Sequence, residues 1–220
     1  MNFGEDNFEL LLSKHLTSDQ KTRLKDSLSQ FSMDRFDGGT RGDIDYTNFV
    51  IRELCDYFKQ ADILLQIRYP YLNDSTYEFE KYYTTAIILS NTCDISPDNT
   101  HNLNKKQCVF APVIELSEYI QALIEIKKDE KFTEEKLTSF INEIKSQRIT
   151  NLFYITDNST EYIALFDKVF WFPTDELNTL LEDISGNKLF SLTLFGYYLF
   201  LLKLTFHFSR FPETPDRSII

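Results

Sequence analysis

Five consecutive polar or reactive residues, Ser90-Asn91-Thr92-Cys93-Asp94, form the most concentrated set of side chains in the sequence that could carry chemistry. They follow an apolar run, residues 85–89, that predicts a strand buried on both faces. Such a strand holds the residues at its end still while they face a cleft, a position typical of functional sites. Asp94 could act as a base, a metal ligand or the partner of an arginine. Cys93 could act as a nucleophile where its surroundings favour the thiolate.

The alternative for the same five residues is a structural turn. In that arrangement Asn91 and Asp94 bond backbone groups, and Cys93 packs as a small hydrophobic residue. The sequence leaves both interpretations of the turn open.

Arg210 is the residue from a distant part of the chain that we add to this candidate site. It ends the most hydrophobic predicted helix, where a guanidinium can cap the last carbonyl groups and stack on Phe206 or Phe211. Its alternative role is an ion pair with Asp94 across a cleft.

Metal and cofactor sites are not indicated by the sequence. The histidines lie far apart and lack ligand spacing: His15, His101 and His207. Four aspartates lie in a glycine-containing segment that does not match a calcium-binding loop: Asp34, Asp37, Asp43 and Asp45. A nucleophile pair of Cys93 with His101 stays open, although no third, orienting residue is evident. No phosphate-binding glycine loop, zinc-protease helix or nucleophile elbow is present, so we predict no metal and no cofactor.

The elements that must position these residues follow from periodicity and capping signals. Residues 1–60 are predicted to be a helical N-terminal segment, with Thr17 and Gln20 forming a capping box at the start of its second helix. Helices are expected over 6–15, 17–31 and 46–59, 117–128 and 133–146, 174–181 and 191–210. Strands are expected over 62–68, 85–90, 107–114, 150–155 and 161–172, with 77–83 as an exposed strand or a connecting arm. Pro112 implies an edge position or a bulge.

These elements predict an α+β fold. Its parts are a small, partly barrel-like β core, N-terminal helices, an inserted helical pair and a long C-terminal helix. Residues 61–220, including the inserted helices at 117–146, are predicted to pack as one globular core domain with the N-terminal segment.

Three short stretches resemble the SH3-like barrel of the PemK/MazF toxin group. They are Ala61-Asp62-Ile63-Leu64, Ala86-Ile87-Ile88-Leu89-Ser90-Asn91 and Val109-Phe110-Ala111-Pro112-Val113, and the resemblance covers about residues 61–114. In that family a basic residue and a hydroxyl residue near the apolar strand act in RNA cleavage. The matching positions here are Lys81 and Ser90. The resemblance therefore implies an SH3-like barrel and a bacterial toxin context.

Composition bounds the class of partner and the compartment. The chain has 23 basic and 34 acidic residues and a net charge of −11, which makes a dedicated nucleic-acid binder unlikely to be attracted to phosphate. Three widely spaced cysteines predict reduced thiols and a cytoplasmic location: Cys55, Cys93 and Cys108. Residues 189–208 are apolar but contain Gly196, Lys203 and His207, so we interpret them as a buried core helix and predict no membrane contact.

Two functional hypotheses follow. The first is a non-enzymatic protein-interaction or binding module, in a bacterial toxin–antitoxin or phage-defence system, with a protein as its partner. It rests on the 15% aromatic content, the acidic charge and the incomplete catalytic sets. The alternative is a PemK/MazF-like endoribonuclease, or another hydrolase, that uses the Ser90–Asp94 turn. Homo-oligomerisation is left open.

Overall fold

A computed structural model describes residues 16–31, 44–52, 55–72, 76–98, 107–126 and 133–208. The helices are α1 (Ser18–Phe31), α2 (Thr92–Ile95), α3 (Leu116–Ile126), α4 (Glu134–Lys145), α5 (Thr174–Thr179), α6 (Ile184–Asn187) and α7 (Leu194–Phe208), with a 3-10 turn at Leu180–Asp183. The strands are β1 (Val50–Ile51), β2 (Ile63–Leu72), β3 (Phe79–Ile88), β4 (Gln107–Glu115), β5 (Leu152–Thr156), β6 (Glu161–Leu165), β7 (Phe170–Pro173) and β8 (Lys188–Leu192).

The fold is α+β, as predicted, and it includes the inserted helical pair α3–α4 and the long C-terminal helix α7. The described strands form one antiparallel sheet in the order β1-β8-β2-β3-β4-β6-β5, and β7 pairs with β4 beside β6. The sheet is not a closed barrel. The predicted arm at 77–83 and the strand at 85–90 are largely one continuous strand, β3.

Three buried clusters organise the core. The largest lies where α1 and α7 cover the sheet, and it includes Leu24, Phe153 and Phe200. A second, around Phe58, Phe110 and Phe170, also contains Leu177 of α5. The third joins α3 and α4 to β5 and β6. Helices therefore pack against the sheet in separate places, and each place has its own aromatic or aliphatic contacts.

A β-bulge bends β2 near its middle. The register with β3 shifts between Leu64 and Ile67, and Gln66 inside the shift has a φ of 54°. Before the bulge β2 pairs with β8, at Ile63 and Leu64, and the described residues give β2 no further pairing to β8 beyond it. A bulge bends its strand and increases the local twist. The second half of β2 therefore leaves β8 and, as the Tyr69–Phe170 ring contact of 5.0 Å shows, approaches β7.

Pro112 lies in an interior strand, so the prediction of an edge strand or bulge for this residue is wrong. The Val109 carbonyl accepts the amide of Leu89, and alternation along an antiparallel strand then directs the Pro112 nitrogen away from β3. On that side β4 pairs with β7 up to Phe110 and with β6 from Val113. The proline therefore occupies the gap between two pairing partners, where a missing N–H removes no ladder bond.

The helix predicted over 46–59 is wrong. The described residues of this segment form a turn at Thr47–Asn48 and the short strand β1, and Asn48 has a φ of 55°. The apolar residues that suggested a helical period are buried in two different places, since Phe49 belongs to the cluster under α7 and Phe58 to the cluster around Phe110. Their spacing reflects two cores and not one helix face.

Two other boundaries differ from the prediction. The strand expected over 161–172 is divided into β6 and β7 by a turn at 166–169. The final helix begins at Leu194, because Ser191 belongs to the unpredicted strand β8. Thr193 is the residue at that junction, where its carbonyl accepts the amide of Tyr197. The continuous apolar composition of this stretch conceals the change from strand to helix.

The remaining helix predictions are confirmed where the structure describes them. At α1 the Thr17 amide donates to Gln20 Oε1 at 2.9 Å and the Gln20 amide donates to Thr17 Oγ1 at 3.2 Å, which is the expected capping box. The helix expected over 6–15, Arg210 and most of the aspartate-rich segment lie outside the described residues. Within the described ranges, no helix combines the length and the apolar character that crossing a membrane requires.

Candidate functional site

The Ser90–Asp94 turn lies at the end of β3, as predicted, and continues into the four-residue helix α2. Asn91 is the N-cap, with its side chain accepting the Cys93 amide at 3.2 Å. Ser90 Oγ accepts the Val109 amide of β4 at 2.8 Å. Thr92 Oγ1 accepts the Gln60 amide at 2.9 Å. Three of the five side chains therefore bond backbone groups and fix the corner between neighbouring strands.

Gln60 connects this corner to the C-terminal helix. Its Nε2 donates to the Leu89 carbonyl at 2.8 Å, and its Oε1 accepts the Tyr197 hydroxyl at 2.8 Å. The turn is thus anchored through one amide to both β3 and α7. These contacts are those of a structural corner. Cys93 is exposed on it, and Asp94 is half-buried.

The proposed partners of the turn cannot be placed beside it. Arg210 and His101 both lie outside the described residues. His207, the nearest described histidine to Arg210 in sequence, has its ring 5.9 Å from the ring of Phe166. The pairing of Asp94 with Arg210 and that of Cys93 with His101 stay predictions.

A buried ionic cluster lies inside the sheet, where the sequence analysis suggested no site. Lys188 Nζ lies 3.0 Å from Asp62 Oδ2, and both side chains are almost completely buried. Asp62 also accepts the Ser191 hydroxyl at 2.7 Å and the Lys59 amide at 2.9 Å. Because a substrate cannot reach an Asp62 that is 1% exposed, the cluster serves to hold β8 against the start of β2.

A second buried polar group is on the apolar helix α7. Lys203 is fully buried, and its Nζ donates to the main-chain carbonyl of Gln147. Burial penalises the charged form and lowers the pKa of Lys203 to about 7. Gln147, also fully buried, has a φ of 59°, which directs its carbonyl and its side chain to different partners.

The side chain of Gln147 completes a network between the N-terminal segment and β5. Its Nε2 donates to the Tyr154 carbonyl at 2.7 Å, and its Oε1 accepts the Tyr154 amide at 3.2 Å. Tyr46 donates its hydroxyl to the Lys145 carbonyl at the end of α4. Burial raises the pKa of Tyr46, so this phenol stays protonated. The network fixes the inserted helices to the sheet.

An open groove between β2 and β7 is the remaining candidate site. Its volume is about 410 Å³, within the range of roughly 300–1,000 Å³ that is typical of ligand pockets. Its walls are mostly aromatic rings and prolines, with one residue of each charge: Arg68, Tyr69, Pro70, Glu80, Trp171, Phe172 and Pro173. We call these seven residues the aromatic groove.

Trp171 is the most accessible ring of the aromatic groove. It is 56% exposed, and its indole makes no hydrogen bond to any part of the chain that the structure describes. Below it, Tyr69 contacts Phe170 edge to face, and Phe110 stacks on Phe170 at 5.8 Å. The floor of the groove is therefore a packed aromatic core, and one large ring stands above it.

The hairpin of β2 and β3 extends this aromatic surface. Tyr71 and Tyr82 contact each other edge to face at 5.2 Å and are 43% and 50% exposed. The Tyr82 hydroxyl donates to Glu80 Oε2 at 2.8 Å. Arg68 Nη2 lies 2.5 Å from Glu176 Oε1, the carboxylate at the start of α5. The guanidinium that borders the groove is therefore held by an acid of the protein itself.

The strand β7 is held in place by its side chains as well as its ladder. Cys108 Sγ donates to the Phe172 carbonyl at 3.3 Å, and burial raises the pKa of this thiol to about 12. This cysteine is therefore a structural residue and not a nucleophile. The sequence analysis missed the aromatic groove. The signal in the sequence is the run Phe170-Trp171-Phe172-Pro173, but its partner Tyr69 comes close only because β2 bends.

No family model and no curated protein matches this chain. Among the described residues, no group of three or more His, Cys, Asp or Glu side chains is placed to hold a metal ion. The candidates are therefore weighed on their geometry, which gives an engaged polar corner, two buried polar clusters and one open aromatic groove.

Proposed function

We propose that this protein is a non-enzymatic protein-interaction module that binds a segment of a partner protein in the aromatic groove. The observation that carries the proposal is the exposed indole of Trp171 above an apolar groove of about 410 Å³. Large exposed rings in a preformed apolar groove are typical of binding surfaces, because they bury much area with little loss of side-chain entropy.

The buried polar clusters support this assignment by what they do. Asp62 and Lys203 are inaccessible and bond groups of the fold, so neither offers a reactive group to a substrate. Three side chains of the Ser90–Asp94 turn bond backbone amides. The aromatic groove, by contrast, has an open apolar surface that water covers in the isolated protein.

Substitution of Trp171 by alanine tests the proposal. Partners are captured from lysate of the native host with the wild-type protein, identified by mass spectrometry, purified and titrated by calorimetry. Because central aromatic residues dominate the binding energy of most interfaces, Trp171→Ala should weaken the affinity for the true partner at least about tenfold. The identity of that partner also checks the predicted toxin–antitoxin or phage-defence context.

Tyr57→Ala is the matched control, since Tyr57 is 40% exposed and does not line the groove. It should bind as the wild type does. Circular dichroism and the thermal midpoint show that both variants are folded. A purified partner that binds Trp171→Ala as tightly as the wild type would exclude the groove as the interface.

A further inference from the structure

The aromatic groove lies between two strand edges that lack a ladder partner among the described residues. Beyond the bulge, β2 pairs with β3 on one side, and its pairing to β8 is confined to Ile63 and Leu64. On the opposite wall, β7 pairs with β4. An extended segment of another protein could therefore lie between the two edges, either as an added strand or in another extended conformation.

A proline on each wall decides between these two modes. Pro70 lies in the bent half of β2, and Pro173 ends β7. Proline has no N–H to give to an added strand, and it is one of the residues that protect sheet edges from strand addition. A ligand that depends on a backbone ladder is therefore disfavoured. A polyproline II segment makes no internal backbone hydrogen bonds and needs few from its receptor.

The rings of the groove fit the ridged apolar surface of such a segment. Tyr69 and Trp171 stand on opposite walls, and Phe172 and the two prolines complete the lining. Docking of proline-rich segments into aromatic-lined grooves is a recurring mode of recognition, because the ligand is already ordered before it binds. The indole N–H of Trp171 can additionally donate to a carbonyl of the ligand.

The charges beside the groove select the sign of the ligand. Glu80 lines it, and α5 begins with Asp175 and Glu176 directly after Pro173. Arg68 is ion-paired with Glu176. The whole chain carries a net charge of −11. A basic residue next to the prolines is therefore complementary, and a carboxylate such as Glu80 can accept more hydrogen bonds than the one from Tyr82.

From these contacts we infer that the aromatic groove binds a proline-containing segment of a partner protein in the polyproline II conformation, with an arginine or lysine beside the prolines. This inference rests on the proposed function, since it names the chemistry of the partner for the same groove. The prolines of the segment pack between Tyr69 and Trp171, and its cation approaches Glu80.

Trp171 makes the test direct, because it is the single tryptophan of the chain and its fluorescence reports on the groove. The full chain is titrated with a blocked synthetic peptide, Pro-Pro-Ala-Pro-Pro-Ala-Arg. Saturable change in the Trp171 emission is expected. Replacement of the peptide prolines by alanine should weaken binding at least about tenfold, and replacement of its arginine by glutamate at least about fivefold. Glu80→Gln should reduce the preference for arginine over glutamate.

Three results would overturn the inference. An alanine peptide that binds as tightly as the proline peptide would show strand addition. Saturable, Trp171-dependent binding of oligouridylate in place of the peptide would show a nucleic-acid ligand. The third concerns this chain itself, which contains the pattern once, at Pro212-Glu213-Thr214-Pro215-Asp216-Arg217. If the full chain with Pro212→Ala and Pro215→Ala binds the peptide more than tenfold tighter, the occupant is the protein's own segment.

The outcome also separates this inference from the proposed function. If the peptide fails to bind while the purified partner still requires Trp171, the polyproline ligand is wrong and the interaction module stands. If the peptide fails and the partner binds Trp171→Ala normally, both are wrong.

Discussion

At the scale of single residues, the buried polar side chains of this protein join elements that are distant in sequence. Asp62 connects the start of β2 to β8, and Gln147 connects the end of α4 to β5 and to the N-terminal segment. Lys203 is the most exposed to pH effects of these groups, although it is buried, because its amine is neutral near pH 7 in the folded protein.

The first prediction concerns the pH dependence that Lys203 imposes on stability. Its pKa is lowered from 10.5 to about 7 on folding, so between these values the unfolded chain holds one more proton than the native one. Stability must then rise with pH through this window. Relative to Lys203→Met, the free energy of unfolding of the wild type should increase by roughly 1.4 kcal/mol per pH unit between about pH 7.5 and 9.5.

Urea unfolding of both proteins at several pH values makes this measurement, and the difference between them removes the contribution of tyrosines and cysteines. Lys136→Met is the control, because Lys136 is exposed on α4. Its difference from the wild type should not change with pH. A wild-type difference from Lys203→Met that is equally flat would contradict the desolvated amine.

At the scale of elements, the bulge in β2 is what creates the groove. Gln66 takes the left-handed conformation there, and the strand then bends from β8 toward β7. A residue other than glycine in that conformation costs about 1–3 kcal/mol unless its surroundings fix it. The backbone of β2 therefore carries strain at the position that brings Tyr69 to Phe170.

The second prediction follows from this strain. Gln66→Gly should increase the free energy of unfolding by about 1 kcal/mol, and Gln66→Val should decrease it by about 1–2 kcal/mol, since a β-branched residue resists a positive φ. Gln66 is exposed, so lost packing does not confuse the result. Chemical denaturation provides the values. Gln121→Gly, in the exposed part of α3, should have the opposite sign and destabilise by about 1 kcal/mol. Equal effects of glycine at both positions would exclude strain at the bulge.

At the scale of the whole molecule, an acidic protein surrounds an open, aromatic gap in a curved sheet. The net charge of −11 repels phosphate backbones and favours cationic partners. The gap is the place where the described sheet fails to close between β2 and β7. Both properties are consistent with a partner protein that presents a basic, extended segment, which is the ligand that we propose.

The third prediction concerns the nuclease alternative. Because the charge opposes RNA binding and the Ser90–Asp94 turn is engaged in backbone bonds, the purified protein should leave mixed RNA intact with Mg²⁺, with Zn²⁺ and with EDTA. Gel electrophoresis of the RNA after incubation provides the measurement. Cleavage that Asp94→Ala abolishes and the exposed control Asp98→Ala retains would contradict this expectation and favour the endoribonuclease.

Local features of the sequence determined much of this protein. The capping box at Thr17, the polar stretch after β3 and the apolar stripes of α3 and α4 depend on residues a few positions apart, so the sequence alone predicts them. The α+β class follows from the order of those elements. The Ser90–Asp94 turn was correctly located by the same local reasoning, as the residues directly after a buried strand.

Long-range contacts decided the rest. The strand β8, the position of Pro112 between two pairing partners and the division of β6 from β7 depend on which strands become neighbours, and residue spacing does not encode that directly. The aromatic groove has the same origin. Tyr69 and Trp171 are about a hundred residues apart, and a bend at Gln66 brings them together. The sequence by itself therefore determined the elements, and only the tertiary structure decided where the protein presents a surface for a partner.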